Sequence, residues 1–314
     1  MTSRRLGNSD LTVFPLVLGG NTFGWTADAA ESEAVLDAFV AAGGNFIDSA
    51  DVYSEWKQGN SGGESETILG DWMRTRGNRD QIVIATKVGK LANHTGLSAD
   101  NINWAVDQSL TRLKSDYIDI YYAHADDPET PIVETAAAFD ELVKSGKVRH
   151  IGLSNYTGAR LSEYLEVAKA NNFVLPVVVQ PHYNLVFRRV YESDLGPTAA
   201  RAGISCAPFF SLGSGLLTAK YAQGGTGSPS RKVGVGKYEG PQVDATIAVL
   251  IEVAAELGAE PASVALAWLL TRPTVVGPIA SARVVEQLPA LLAATELTLS
   301  MDQLDRLTTA SDGL

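Results

Sequence analysis

Four side chains of complementary acid–base character lie in the first half of the chain: Asp48, Tyr53, Lys87 and His124. A tyrosine with an ordinary pKa near 10 is a poor acid at neutral pH. An ammonium such as Lys87 beside it favours the phenolate, and a carboxylate such as Asp48 holds that ammonium in place. An imidazole such as His124 can donate a hydrogen bond to a carbonyl oxygen or help to move a proton. Each residue type has a commonplace structural use on its own: a loop cap, a packed ring, a solvated strand end, a bonded core histidine. Together they make a proton-transfer device.

Three of the four end short apolar runs, in Asn45-Phe-Ile-Asp48, Ile84-Ala-Thr-Lys87 and Ile120-Tyr-Tyr-Ala-His124, and Tyr53 follows in Asp48-Ser-Ala-Asp-Val-Tyr53. Such runs recur along the chain: Leu16–Leu18, Phe46–Ile47, Ile82–Ala85, Tyr117–Tyr122, Val148–Leu153, Val177–Val179, Ile204–Ala207 and Thr274–Val276. Runs apolar on both faces are the mark of strands buried in a parallel sheet. Helical patterns fill the intervals. One runs from Glu31 to Ala42 and stops at Gly43-Gly44, one follows a Ser98 cap to about Leu113, and one spans Pro131 to Lys144 before Gly146. Pro261 suits the first turn of a helix over Ala262 to Leu270, and Ser300-Met-Asp-Gln303 has capping-box spacing.

Strand-like runs alternating with helices over a chain this long predict a single (β/α)8 TIM barrel across residues 1–314, with a short N-terminal β-hairpin. The competitor is a doubly wound open sheet, which usually announces its dinucleotide with Gly-x-Gly-x-x-Gly after the first strand. The sequence there is Gly19-Gly-Asn-Thr-Phe-Gly24, so the barrel is favoured. In a barrel, residues just past the carboxyl ends of the strands face the active site, where these four would meet. The long seventh interval holds a Gly-rich loop from Gly224 to Pro241, with six glycines and two prolines, expected as a lid over that face.

Composition narrows the function classes. The 314 residues are 45% hydrophobic and 19% charged, enough apolar material for a sizeable core. A net charge of −11 lacks the electrostatic footprint of a nucleic-acid or anionic-membrane binder. No run approaches the roughly 20 apolar residues of a membrane span. The lone Cys206 excludes an internal disulfide and a Cys-rich zinc site, and the four histidines show no ligand spacing, so no metal is expected. The Arg4-Arg5 pair precedes an apolar stretch broken by Thr12 and Pro15, with no cleavage pattern, which fits a cytoplasmic protein. Nothing in the sequence specifies an oligomeric state.

In order and spacing, Asp48, Tyr53, Lys87 and His124 resemble the Asp-Tyr-Lys-His tetrad of the aldo-keto reductase superfamily. Further segments are similar to that family's in the same register: Lys144 to Asn155, ending in Ser-Asn, Val179-Gln-Pro-His-Tyr-Asn184, Phe209 to Thr218, and Gly277 to Arg283. The resemblance spans about residues 4 to 310. It implies NADPH-dependent reduction of a small-molecule carbonyl substrate, an aldehyde or a ketone, to an alcohol. Tyr53 would be the general acid, Lys87 and Asp48 its tuners, and His124 the group orienting the carbonyl. Ser154, Asn155 and Gln180 would grip the nicotinamide, with Phe209 stacked on it where the family has Tyr. The loop Phe210, Ser211, Leu212, Gly213, Ser214, Gly215 would approach the pyrophosphate. The segment Ile279, Ala280, Ser281, Arg283, with Gln287, would take the adenosine end, and Arg283 would read the 2′-phosphate of NADP. Where the family often has a Glu-Asn pair near adenine, this chain has Ala290-Leu291. The alternative is a cofactor-binding, redox-sensing or regulatory subunit with slow turnover. Trp25, Trp56, Phe187 and Tyr238 could line a substrate pocket.

Overall fold

The structure is a computed structural model that describes residues 3–219 and 238–314. Strands β1 (Arg4–Arg5) and β2 (Thr12–Val13) form the expected antiparallel hairpin. The barrel strands follow, with helices between them: β3 (Val17–Gly19), β4 (Phe46–Asp48), β5 (Val83–Val88), β8 (Ile118–Ala123), β9 (Val148–Ser154), β10 (Val178–Gln180), β11 (Ser205–Cys206) and β12 (Ile279–Ala280). A small antiparallel hairpin, β6 (Lys90–Leu91) with β7 (His94–Thr95), rises from the end of β5. The eight barrel strands lie in the order β11-β10-β9-β8-β5-β4-β3-β12, all parallel.

Closure comes from the segment before β12. Cys206 pairs in parallel with Val275: the Cys206 amide donates to the Thr274 carbonyl at 2.8 Å and the Val276 amide to the Cys206 carbonyl at 2.9 Å. The eighth run expected at Thr274–Val276 therefore supplies only this bridge, and the ladder against β3 forms at Ile279–Ala280. The reason is local. Thr274 sits at φ +67°, and Pro273 and Pro278 have no amide to give a ladder.

The helices start where side chains satisfy their first amides. Asp28 and Glu31 make a reciprocal capping box for α1 (Ala29–Ala41), two residues before the start expected from periodicity. Ser98 caps α3 (Ala99–Leu113), after α2 (Glu64–Arg76). Next come α4 (Ile132–Lys144), α5 (Gly158–Ala170), α6 (Gly196–Ala202), α7 (Pro241–Leu257), α8 (Pro261–Leu270) and α9 (Leu288–Ala293). The predicted Ser300/Gln303 box caps α10 (Met301–Ala310).

Two apolar layers result. One lies between sheet and helices and takes Leu18, Ile47, Ile84, Tyr121, Ile151 and Val179. The other fills the barrel and takes Val17, Phe46, Val83, Ala85, Ile120, Tyr122 and Val178, floored by Leu6, Leu11 and Val13 of the N-terminal hairpin. Because strand side chains alternate with period two, the inner series continue upward along their own strands. Phe46 leads to Asp48, Ala85 to Lys87, Tyr122 to His124 and Val178 to Gln180. The Tyr122 ring needs the bare backbone of Gly152, where a Cβ would lie 2.3 Å from it. Most of the Gly-rich run expected as a lid falls outside the described residues. Among the described residues, no helix is long and apolar enough to cross a membrane.

Candidate active site

Lys87 ends the inward series of β5 with no exposed surface. Its ammonium donates to Asp48 Oδ2 at 2.7 Å, to the Ser49 carbonyl at 2.6 Å and to the Tyr53 hydroxyl at 2.8 Å. The Tyr53 hydroxyl in turn donates to Asp48 Oδ2 at 3.1 Å. Asp48 Oδ1 is taken by the side-chain amide of Gln180, at 2.8 Å. The turn 49–53 returns Tyr53 over Asp48, because the Ser49 amide donates to the Ala85 carbonyl and the Asp51 amide to the Lys87 carbonyl. His124 stands beside Tyr53, with ring centroids 6.3 Å apart, and its Nδ1 is buried without a hydrogen-bond partner among the described residues. All four tetrad candidates thus meet at the carboxyl ends of adjacent strands.

Electrostatics assigns protonation states. Burial, then the Asp48 carboxylate, hold the Tyr53 phenol well above its ordinary pKa. The expectation that Lys87 favours the phenolate is outweighed by burial and by the Asp48 carboxylate. Burial lowers the Lys87 pKa, opposed by Asp48. For His124, burial and then Lys87 and Lys90 push the pKa well down, leaving a neutral imidazole that can donate from one nitrogen.

The remaining candidates fall into three groups around this centre. Ser154 Oγ donates to the Gln180 carbonyl at 3.0 Å, and Asn155, at φ +56°, donates through its side chain to the His124 carbonyl at 2.8 Å and to Ser154 Oγ at 3.0 Å. Phe209 bridges in parallel to His182 at the top of β10, with ring centroids 5.6 Å apart. In the next loop, Phe210, Gly213, Ser214 and Gly215 all have left-handed φ, from +52° to +102°. Ser211 Oγ anchors the loop on the Pro208 carbonyl at 2.8 Å, and Leu212 packs on the core. In the last strand, β12, Ile279 and Ala280 are buried. Ser281 Oγ donates to Asn21 at 2.6 Å, close over Gly19, and Gln287 accepts the Arg283 amide at 2.8 Å. The Arg283 side chain is exposed and has no carboxylate partner among the described residues.

Sequence reasoning missed Asn21, the Ser49 carbonyl and Asp51. Asn21 and Ser49 act through contacts that no local pattern encodes. Asp51 lay within the quoted Asp48–Tyr53 motif, and its position between two site residues was the available signal.

Residues 15–312 match the model of the aldo/keto reductase family. The chain is 31% identical to Protein tas of Escherichia coli over 97% of its own length and 96% of that protein's. It is 35% identical to a probable voltage-gated potassium channel subunit beta of Oryza sativa, over 93% and 91%. It is 32% identical to norsolorinic acid reductase B of Dothistroma septosporum, over 96% and 79%. The chain belongs to the aldo/keto reductase family, whose oxidoreductases act on small-molecule carbonyl compounds and generally use NAD(P)H.

Asp51 gives the site a pH signature in stability. It is buried, neither carboxyl oxygen has a hydrogen-bond partner among the described residues, and burial and then Glu66, opposed by Arg112, raise its pKa to about 7. Between its ordinary value of 3.8 and about 7, the folded protein keeps a proton that the unfolded chain releases. Stability therefore falls as pH rises across that window, and the full penalty stands above it. Asp51→Asn removes the penalty. Relative to wild type, the variant should gain on the order of 3 kcal/mol between pH 4 and pH 8. Denaturant unfolding at the two pH values checks this; an unchanged difference would contradict it.

Proposed function

We propose that this chain reduces an aldehyde or ketone to the alcohol with NADPH, and that Tyr53 delivers the proton. The observation that carries the reading is the buried Asp48–Lys87–Tyr53 triangle, with a protonated phenol beside a neutral imidazole. The residues around it fit a dinucleotide. Left-handed φ at the non-glycine residues Phe210 and Ser214 is backbone strain of the kind stored at binding sites, and such turns make anion-binding concavities. Exposed Arg283 offers a guanidinium to a phosphate. Ser154, Asn155 and Gln180 would hold the carboxamide, Phe209 would stack on the ring, and residues 210–215 would hold the pyrophosphate. The Ile279–Ser281 segment, with Arg283 and Gln287, would hold the adenosine end, where the buried side chains of Ile279 and Ala280 leave only their backbone for contact. When bound, the reduced nicotinamide supplies the hydride.

The chain's own residues do the rest. His124, neutral, donates to the carbonyl oxygen and sets its distance to Tyr53. The phenol turns its proton from Asp48 to that oxygen as negative charge develops there. The phenolate left behind is met by the Lys87 ammonium, already 2.8 Å away, so nothing has to reorganise at the moment of transfer. Asp48 keeps the ammonium in place, and Gln180 keeps Asp48 in place.

The likeness to a protein named as a channel β-subunit supports a second reading, a redox-sensing subunit that turns over slowly. Single-turnover oxidation of bound NADPH by a panel of carbonyl compounds separates the two, since a sensor would oxidise it extremely slowly.

Tyr53→Phe should abolish reductase turnover while NADPH affinity, read by fluorescence titration, is retained, because only the transferable proton is lost. Near wild-type turnover would remove Tyr53 from the role. Arg283→Ala should weaken NADPH by about 1.5–3 kcal/mol and NADH far less, through loss of a charge-assisted phosphate contact. Equal weakening of both cofactors would show that the side chain does not read the phosphate.

A further inference from the structure

Behind the strand that carries Lys87, the turn after β4 buries a second carboxyl group. Asp51 is 1% exposed, and neither of its side-chain oxygens has a hydrogen-bond partner among the described residues. Its amide donates to the Lys87 carbonyl at 3.2 Å, so the turn that presents Tyr53 also fastens Asp51 to the backbone of Lys87. One residue back on β5, Thr86 points to the opposite face from Lys87, and its hydroxyl donates to Glu66 Oε1 at 2.5 Å. Glu66 Oε2 takes the Arg112 guanidinium at 2.6 Å. The Tyr121 hydroxyl, on the helix side of β8, is buried and also without a partner among the described residues. A buried carboxyl left out of its neighbours' hydrogen bonds carries a charge only at high cost. The charged groups that face it are Glu66 from α2, Arg112 from α3 and Lys87 from β5, with the Tyr121 phenol from β8 beside them. Its own turn holds Asp48 and Tyr53. From the β6–β7 hairpin, Leu91 and the Asp51 carbonyl both close on Gly62, and the Lys90 charge is felt at Lys87.

We infer that Asp51 is a positioning residue acting through Lys87: uncharged, it leaves the ammonium to meet the phenolate that forms on Tyr53, and once ionised it opposes that phenolate and slows reduction. The inference rests on the reading of Tyr53 as proton donor. In reduction the Tyr53 O–H bond breaks, its proton goes to the substrate oxygen on which charge develops, and the negative charge left behind sits on the phenol oxygen. A second negative charge in the same enclosed turn repels it. That charge also competes for the Lys87 ammonium, on which Asp51 acts in the same sense as Asp48. Burial and then Glu66 keep the Asp51 carboxyl protonated up to about pH 7, with Arg112 opposing them. Below that pH the site carries the balanced Asp48–Lys87 pair; above it the turn gains one uncompensated negative charge.

The test is the single-turnover rate of NADPH oxidation by 4-nitrobenzaldehyde from pH 5.5 to 8.5, in wild type, Asp51→Asn and Glu66→Gln. Circular dichroism and NADPH fluorescence titration check folding and cofactor binding at each pH. Wild type should slow by on the order of 3- to 10-fold as pH rises through about 7. Asp51→Asn should keep the fast low-pH rate across the whole range. Glu66→Gln should move the break to lower pH, because it removes a repelling charge and frees Arg112 for Asp51. A merely structural role for Asp51 would change the rate by one factor at every pH and leave the break in place. A flat wild-type profile, a break that survives in Asp51→Asn, or one that does not move in Glu66→Gln overturns the inference and leaves Tyr53 as proton donor. If wild type oxidises no NADPH at any pH, the inference falls together with the proposed function.

Discussion

Lys87 buries its ammonium completely, and a charge taken out of water must be compensated inside the protein or discharged. Three oxygens compensate this one, from Asp48, Ser49 and Tyr53. The constraint spreads outward from there. Asp48 must sit at the end of β4, one register step from β5. Residues 49–53 must fold back to bring the phenol over the pair. Gln180 must come from β10, across the barrel, to occupy the second carboxylate oxygen. A closed parallel barrel can supply such groups from non-adjacent strands to one point, because every strand ends on the same face.

A buried ion pair is weak evidence for stability, since desolvation offsets its attraction. Here the pair's consequence is chemical. Burial keeps the phenol protonated and the imidazole neutral, while the ammonium waits where negative charge will appear. The same enclosure leaves Asp51 costly to ionise. The site thus holds both its useful and its unfavourable electrostatics within one turn of chain.

Much of this was legible in the sequence. The strand runs were apolar on both faces, and residues such as Asp48, Lys87 and His124 stood out because they ended those runs. The caps at Ser98 and Ser300 were visible because capping is local. What stayed hidden depended on non-local contacts. Both-face burial conceals which of Ile47 and Phe46 points inward, and closure at Val275 with pairing at Ile279 follows from two prolines and a left-handed Thr274. The direction of the Tyr53 shift required knowing that the phenol is buried beside the Asp48 carboxylate. The tryptophans were candidates for a pocket, but only the three-dimensional structure brings Trp56 against the Tyr53 ring and Trp25 against Trp56.

The central claim is that the charge on Lys87, and not its bulk, prepares Tyr53 for proton transfer. Lys87→Met keeps length and removes charge. Its single-turnover rate of NADPH oxidation by a carbonyl substrate, measured on folded, cofactor-saturated protein, tests this directly. A rate slower by on the order of 10²-fold or more is predicted, as expected when positioned acid–base catalysis is disabled. A rate near that of wild type would make Lys87 a structural strand-end lysine and contradict the account.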